Sequence, residues 1–136
     1  MVTALFAVSE ARRAALAAAG QPVPQPQRTT ALIDTGASCT SVDPSVIIAL
    51  NLQPTGSVSL ITPSTGQTPH QTSEYDIALA IPGASPQDPF LVFPTIAVIS
   101  AELLQAQGFH ALIGRDILNR CVLIYNGTIG FFTLAY

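Results

Sequence analysis

Charge is scarce in this sequence, and lysine is absent altogether. Charged residues make up 10% of the 136 residues, against roughly 25% in an average soluble protein. The 5 basic residues are all arginines scattered along the chain, and the formal net charge is −3. Proteins that bind nucleic acid gather basic residues on one face, so we expect no nucleic-acid partner.

Long apolar runs are also missing. The longest one, residues 90–99, contains Pro94 and is too short to span a bilayer. The amino terminus has neither the basic region nor the long apolar region of a secretory signal. The sequence therefore predicts a protein without a membrane span, and we expect it in the cytoplasm.

Cysteine is rare, since Cys39 and Cys121 are the 2 cysteines of the chain. They fit neither a metal-ligand spacing nor a dense disulfide framework. His70 and His110 are isolated in the sequence, which is typical of solvated or hydrogen-bonded histidines rather than metal ligands. We expect no metal and no organic cofactor. Two buried thiols are favoured, and a single bridge between them stays open as the alternative.

Apolar residues, by contrast, are plentiful. They make up 49% of the chain, which is more than a compact monomer of this length easily hides. We therefore expect part of the apolar surface to lie in a subunit interface or in a ligand cleft.

Short apolar segments separated by proline, glycine and asparagine predict one mainly β domain over residues 1–136. They favour a small closed barrel or folded sheet with a few short helices. Asn126-Gly127 is typical of a hairpin turn. The predicted strands are 1–8, 29–33, 55–62, 67–81, 90–99, 111–113, 121–125 and 128–136, and the predicted helices are 10–19, 44–50 and 115–120.

The first informative segment is an apolar strand that delivers a carboxylate into a glycine turn. It reads Ala-Leu-Ile-Asp-Thr-Gly-Ala-Ser over residues 31–38. An ionisable group at the end of a buried strand is costly unless it has a partner or a task. Gly36 allows close backbone approach, and Thr35 offers a hydroxyl group. Taken alone, the tripeptide that begins at Asp34 is more typical of an aspartate that stabilises its own turn.

A second segment changes that interpretation. Residues 111–118 read Ala-Leu-Ile-Gly-Arg-Asp-Ile-Leu, another apolar strand that ends at glycine before a short helix. The two segments, in this order, resemble those of the retropepsin family of aspartic peptidases. The resemblance covers most of the chain from Thr29 onward, and the turn-forming stretch between the segments lies where that family places its flap.

The resemblance implies a retropepsin-like small closed barrel, which is one lobe of an aspartic-peptidase fold. Residues 1–27 would form a strand, a helix and a proline-rich connection, and residues 28–136 would form the catalytic core. It also implies an endopeptidase in which two carboxylates activate a water against an extended peptide. The chain holds one Asp-Thr-Gly, so the second Asp34 would come from another copy in a homodimer.

The same resemblance assigns roles to residues of this sequence. Asp34 would be catalytic, and the terminal segments 1–8 and 128–136 would pair across the dimer interface. Further residues would support the catalytic loop (Thr35, Gly36, Ala37, Ser38), form the flap over the substrate (Thr62, Ser64, Thr65, Gly66) or lie beneath the loop (Leu112, Ile113, Gly114, Arg115, Asp116).

Several residues depart from the family pattern. Viral members commonly carry an acidic residue at the position of Ser38, and it pairs with the arginine of the second segment, so Arg115 needs another acceptor. Ala37 has no hydroxyl to donate to the catalytic carboxylate, and we therefore expect a milder pH optimum than that of a gastric-type enzyme. Pro63 offers no amide at the flap tip, and Asp116 is expected only to cap the short helix.

Two other functions stay open. The first is a non-catalytic dimer that keeps this fold to bind peptides or to support assembly. The second is a thiol hydrolase that uses Cys39, although no histidine neighbours this cysteine in the sequence.

Overall fold

The computed structural model describes residues 1–61, 68–103 and 105–136, and within these ranges the chain is mainly β. The strands are β1 (Val2–Val8), β2 (Gln27–Ile33), β3 (Ser41–Val42), β4 (Gly56–Leu60), β5 (His70–Ile81), β6 (Leu91–Ser100), β7 (Ala111–Ile113), β8 (Val122–Asn126) and β9 (Phe131–Ala135). The helices are α1 (Glu10–Ala18), α2 (Pro44–Ala49) and α3 (Arg115–Leu118), and a 3₁₀ turn covers Gln105–Gln107.

Six of the described strands close into a barrel. Neighbouring strands follow the order β1-β2-β7-β3-β6-β5, and β5 pairs with β1 to complete the ring. The β2–β7 and β3–β6 pairs are parallel, and the other pairs of the ring are antiparallel. Closure leaves no free sheet edge along the ring. The prediction of a mainly β domain with a small closed barrel and short helices is therefore confirmed.

Alternate residues of the strands fill the barrel interior. Along β1, Ala4, Phe6 and Val8 are buried while the residues between them are partly exposed, as the two-residue period of a strand requires. Ile77 and Leu79 of β5 are buried in the same cluster. This core supports β2 and β7, the two strands that lead into the sequence motifs.

The two longer helices begin at the residues that the sequence predicts. The side chain of Ser9 caps α1, and Gly20 follows the helix with φ 65°, a left-handed conformation that glycine adopts without strain. The side chain of Asp43 accepts a hydrogen bond from the Ser45 amide at 2.9 Å and caps α2. No residue of α1 is buried, so this helix lies on the outside of the barrel.

The start of β2 and the existence of β3 differ from the prediction because tertiary pairing decides them. β2 begins at Gln27 rather than at residue 29, since Gln27 and Arg28 pair with β1. β3 has two residues and was not predicted; it exists because Ser41 pairs with β6 on one side and with β7 on the other. Such a short pairing leaves no periodic pattern in the sequence.

The carboxyl-terminal hairpin also has a longer turn than predicted. Asn126 pairs with Phe131, so residues 127–130 form the turn in place of Asn126-Gly127. The Asn126 side chain accepts a hydrogen bond from the Thr128 amide at 3.1 Å, and Gly130 has φ 63°. The asparagine thus initiates the turn through its side chain, and a later glycine supplies the left-handed residue.

The β8–β9 hairpin forms a separate two-stranded sheet outside the barrel. Leu123 and Leu134 face inward, and Leu134 packs against the core. On the opposite face, Val122, Ile124 and Phe131 are exposed; 61% of the Ile124 surface and 59% of the Phe131 surface are accessible. A contiguous apolar face of this kind commonly marks an interaction surface.

Part of the other predicted interface segment is already paired within the chain. Leu5 and Phe6 of β1 are paired with β2 on one edge and with β5 on the other. The expectation that residues 1–8 contribute an interface strand is therefore wrong for these residues.

In the described ranges, no helix is both long and apolar enough to cross a membrane.

Candidate active site

Asp34 lies where β2 ends, beside the second sequence motif. β7 runs parallel to β2, with Ile33 opposite Ile113, and the Asp34 amide donates to the carbonyl oxygen of Ile113 at 3.0 Å. β7 also pairs with β3 on its other edge. The second motif is thus inserted between the two strands that flank the Asp34 loop, and Leu112 and Ile113 lie against that loop.

The loop holds one oxygen of the Asp34 carboxylate. Oδ1 accepts hydrogen bonds from the amide of Gly36 at 2.8 Å and from the amide of Ala37 at 3.2 Å. The hydrogen bonds that this carboxylate accepts from described residues all reach Oδ1, and Asp34 is only partly buried. One oxygen is therefore fixed by the backbone, while the carboxylate remains accessible to a reacting group.

Arg115 finds its acceptors in the backbone of the same loop. Its Nη1 donates to the carbonyl oxygens of Thr35 at 2.8 Å and of Gly36 at 3.1 Å. Its amide donates to the carbonyl oxygen of Ala37 at 3.0 Å. Ser38, the residue at the family's acidic position, is exposed, and the arginine is satisfied without it.

Gly114 packs directly against the exit of the loop. A Cβ atom at this position would lie 2.5 Å from the carbonyl carbon of Cys39 and 2.6 Å from its oxygen. The amide of Gly114 donates to the hydroxyl of Thr40 at 3.2 Å. Glycine is needed here because two backbone segments touch, which is why β7 approaches the loop so closely.

Asp116, two residues after Gly114, also contacts the exit of the loop through Thr40. The amide and the hydroxyl of Thr40 donate to the Asp116 carboxylate at 2.9 Å and 2.8 Å, and Thr40 is fully buried. The residue at the N-cap of α3 is Gly114. The expectation that Asp116 only caps the helix is therefore wrong, because its carboxylate ties α3 to the loop exit.

A cleft of about 510 Å³ opens beside the Asp34 carboxylate. Asp34 is the one charged residue in the described lining. Residues 36–39 and Ser41 line the cleft beside it. The rest of the lining comes from aliphatic side chains of β4, β6 and β7 and of the segments that follow β4 and β6: Leu60, Ile61, Ile99, Ala101 and Leu112. A carboxylate beside an apolar cleft is suited to chemistry on an uncharged segment of a ligand.

The predicted flap falls outside the described residues. Thr62, Pro63, Ser64, Thr65 and Gly66 all lie in the range 62–67. The base of the same hairpin is described, and β4 pairs with β5 from Gly56–Leu60 onto the first half of β5. Leu60 and Ile61 at the end of β4 line the cleft.

Thr35 lies on the other side of the loop from the cleft. It lines a smaller cavity of about 340 Å³ together with Leu32, Ile33 and hairpin residues that include Tyr125 and Phe132. The Asp34 loop therefore separates the cleft from the β8–β9 hairpin. A second molecule that contacted this hairpin near Thr35 would also lie near the loop.

Cys39 lines the cleft but is poorly suited to act as a nucleophile. Both cysteines are free and partly buried, so the expected thiols are present but not fully buried. Burial raises the pKa of the Cys39 thiol, the negative charges of Asp116 and Glu74 raise it further, and a hydrogen bond with Ser38 opposes them. Because the thiolate is the reactive form, these surroundings weigh against a thiol hydrolase.

Histidine and metal chemistry find no support in the described part of the chain. His70 begins β5, and His110 precedes β7, where its amide donates to the carbonyl oxygen of Thr30 at 2.9 Å. No group of three or more His, Cys, Asp or Glu side chains there could hold a metal ion.

Sequence reasoning missed Thr40 and the cleft residues Ile99 and Ala101. Thr40 contacts Gly114 and Asp116 across 74 and 76 residues of sequence, and no local pattern indicates such a contact. A polar residue that directly follows a motif loop was the available signal.

No protein-family model matches the sequence. No curated protein matches it either. The functional argument therefore rests on the residues and geometry of the chain itself.

Proposed function

We propose that this chain is a retropepsin-like aspartic endopeptidase that works as a homodimer, with one Asp34 from each copy. The observation that carries the proposal is the state of the Asp34 carboxylate. One oxygen is fixed by two loop amides, and the residue lines an apolar cleft that holds no other charged residue among those described.

The need for a second copy follows from the chemistry. Peptide hydrolysis by carboxylates requires one group to accept a proton from the attacking water while another donates a proton to the carbonyl oxygen. The described lining of the cleft supplies Asp34 alone. Two aspartates brought together across a two-fold axis would share one proton, since like charges in one site cannot both ionise.

The proposed reaction balances with water as the only co-reactant. The ionised carboxylate takes a proton as the water oxygen bonds to the peptide carbonyl carbon, and the protonated carboxyl donates its proton to the carbonyl oxygen. The carbon–nitrogen bond then breaks as the nitrogen takes the proton that the first carboxylate accepted, and a hydroxyl group of the tetrahedral intermediate returns a proton to the second carboxylate. The products are a new carboxyl group and a new amine.

The exposed hairpin supports the proposed dimer. Its outward face carries Ile124 and Phe131, which are largely accessible, and its inward side borders the cavity that Thr35 lines. A second copy that covered the outward face would bury these apolar side chains.

The apolar cleft also supports an extended peptide as the substrate. The end of β4, which lines the cleft, belongs to a hairpin that leaves the barrel beside Asp34. An extended chain can be gripped through its backbone while apolar pockets receive alternate side chains. The same cleft would serve a non-catalytic peptide-binding dimer, so turnover is the property that separates the two functions.

The test compares the wild type with Asp34→Asn on a diverse peptide mixture from about pH 3 to about pH 8. We expect cleavage by the wild type alone, with both proteins sedimenting as dimers, because asparagine keeps the shape of the loop but cannot share a proton. Equal cleavage by the two proteins would refute the proposal. Peptide binding by a wild-type dimer without any cleavage would favour the binding module instead.

A further inference from the structure

One residue binds three consecutive carbonyls of the Asp34 loop. Arg115 donates to the consecutive carbonyl oxygens of Thr35, Gly36 and Ala37, the first two through Nη1 and the third through its amide. The loop amides point the other way, since those of Gly36 and Ala37 donate to Oδ1 of Asp34. The orientation of the loop peptides is therefore defined from both sides.

We propose that Arg115 is a positioning residue for the Asp34 carboxylate. By fixing the carbonyls of the loop, its guanidinium turns the Gly36 and Ala37 amides toward Oδ1. Arg115 is not among the described residues that line the cleft, so it acts through the loop rather than on a substrate. The inference rests on the proposed function, because positioning matters for a carboxylate that reacts.

The local frame makes this role specific to the guanidinium. Arg115 begins α3, whose position is fixed by Gly114 packed on Cys39 and by Asp116 bound to Thr40. The backbone of residue 115 is thus held whatever its side chain is. Both carbonyl contacts of the side chain come from the single nitrogen Nη1. A lysine side chain is one atom shorter, so its ammonium would not reach the place of that nitrogen.

Backbone acceptors make the contact independent of acidity. A carbonyl oxygen carries no ionisable proton, and a guanidinium stays charged below about pH 12. A carboxylate acceptor, in contrast, would be protonated below about pH 4. We therefore expect the contact between Arg115 and the loop carbonyls to persist under acidic and neutral conditions.

The experiment substitutes Arg115→Lys, which keeps the charge, and Arg115→Gln, which removes it. We expect kcat to fall about tenfold or more in both variants while KM changes by less than about threefold. Hydrogen exchange at the amides of Gly36 and Ala37, followed by NMR, should be faster in both variants than in the wild type at the same pH. Arg120→Lys is the matched control, since Arg120 lies over the Phe93 ring at 5.2 Å and away from the loop; it should change neither quantity.

The outcomes separate this inference from the proposed function. Wild-type kcat and wild-type amide exchange in Arg115→Lys and Arg115→Gln would overturn the inference and leave the peptidase intact. Loss of kcat without faster exchange would also overturn it. A wild type without turnover would overturn the proposed function, and amide exchange would then decide alone whether Arg115 holds the loop.

Discussion

Gly114 is a residue at which close backbone packing, rather than an unusual dihedral angle, requires glycine. Its φ is −90°, which any residue adopts, but an added Cβ would lie 2.5 Å from the Cys39 carbonyl carbon. We expect Gly114→Ala to lower the free energy of unfolding by about 3 kcal/mol, because the clash is with backbone atoms that cannot rotate away.

Urea unfolding followed by circular dichroism measures this loss. Gly56→Ala is the matched control, because its new Cβ would meet Glu74 at an ordinary 3.5 Å. It should change stability by less than about 0.5 kcal/mol. An equal effect of the two substitutions would show that the contact between Gly114 and Cys39 is not tight.

Asp43 is a buried carboxylate that stabilises the fold only while it is ionised. Burial by itself raises the pKa of Asp43, but hydrogen bonds from Ser45, Leu103 and Gln105 outweigh that effect, and the pKa lies below its ordinary value. Because the folded-state pKa is lowered, the stabilisation is fully present above about pH 4, the ordinary range of an unfolded aspartate. It is lost as the pH falls through the folded-state value.

We expect Asp43→Asn to cost about 1–2 kcal/mol of unfolding free energy at about pH 7 and less at about pH 3, since protonation already weakens the wild type there. Urea unfolding at both pH values measures the difference. Asp88→Asn is the control, as Asp88 is exposed and its side chain accepts one hydrogen bond from the Ser85 amide. A deficit for Asp43→Asn that does not shrink with acid would contradict the argument.

At the scale of secondary structure, the elements that sequence reasoning predicts are those with a local cause. The caps at Ser9 and Asp43 lie next to the helices that they begin, and the alternating burial along β1 is visible in the sequence itself. β3 has no local cause. Its two residues form a strand because they pair with β6 on one side and with β7 on the other. Pro94 lies within β6 where the pairing register shifts, and only the structure reveals that irregularity.

The candidate site likewise has features that could be predicted from the sequence and features that could not. The resemblance to retropepsins predicts that the two motifs lie side by side, and β2 does pair with β7. The acceptors of Arg115 and the role of Asp116 could not be predicted, because the first are backbone carbonyls and the second depends on Thr40. Backbone groups carry no sequence signal, and a contact across 76 residues leaves none either.

The β8–β9 hairpin carries the proposed dimer contact, and it can be altered without touching the barrel. We expect Ile124→Thr combined with Phe131→Thr to raise the dimer dissociation constant by at least about tenfold, since two exposed apolar side chains would lose their burial at the interface. Threonine suits a strand, so the protomer should stay folded by circular dichroism. Sedimentation equilibrium measures the dissociation constant.

A matched control tests whether the effect on dimerisation is specific to this hairpin or follows from replacing any exposed apolar residue. Val92 lies on β6 and is 58% exposed, and Val92→Thr should leave the dimer unchanged. A double hairpin variant that dimerises as tightly as the wild type would exclude the outward face of the hairpin as the contact surface.

At the scale of the whole molecule, the barrel closes within one chain while the proposed reaction needs two. β1 completes the ring by pairing with β2 and β5, so each protomer has its own core. A single Asp34 in the described cleft lining leaves the catalytic pair incomplete. Folding and activity should therefore depend differently on concentration, with activity per protomer falling on dilution while the fold persists.

Mixing wild type with Asp34→Asn tests this dependence directly. If subunits exchange at random and one aspartate cannot work alone, an equal amount of the variant should reduce the wild-type activity to about half, because wild-type protomers are drawn into mixed dimers. A monomeric enzyme would be unaffected by the addition. Mixed dimers that retained activity would instead show that one Asp34 suffices. Ile124→Thr combined with Phe131→Thr, placed in the Asp34→Asn chain, is the control: a variant that cannot pair with the wild type should lose its inhibitory effect.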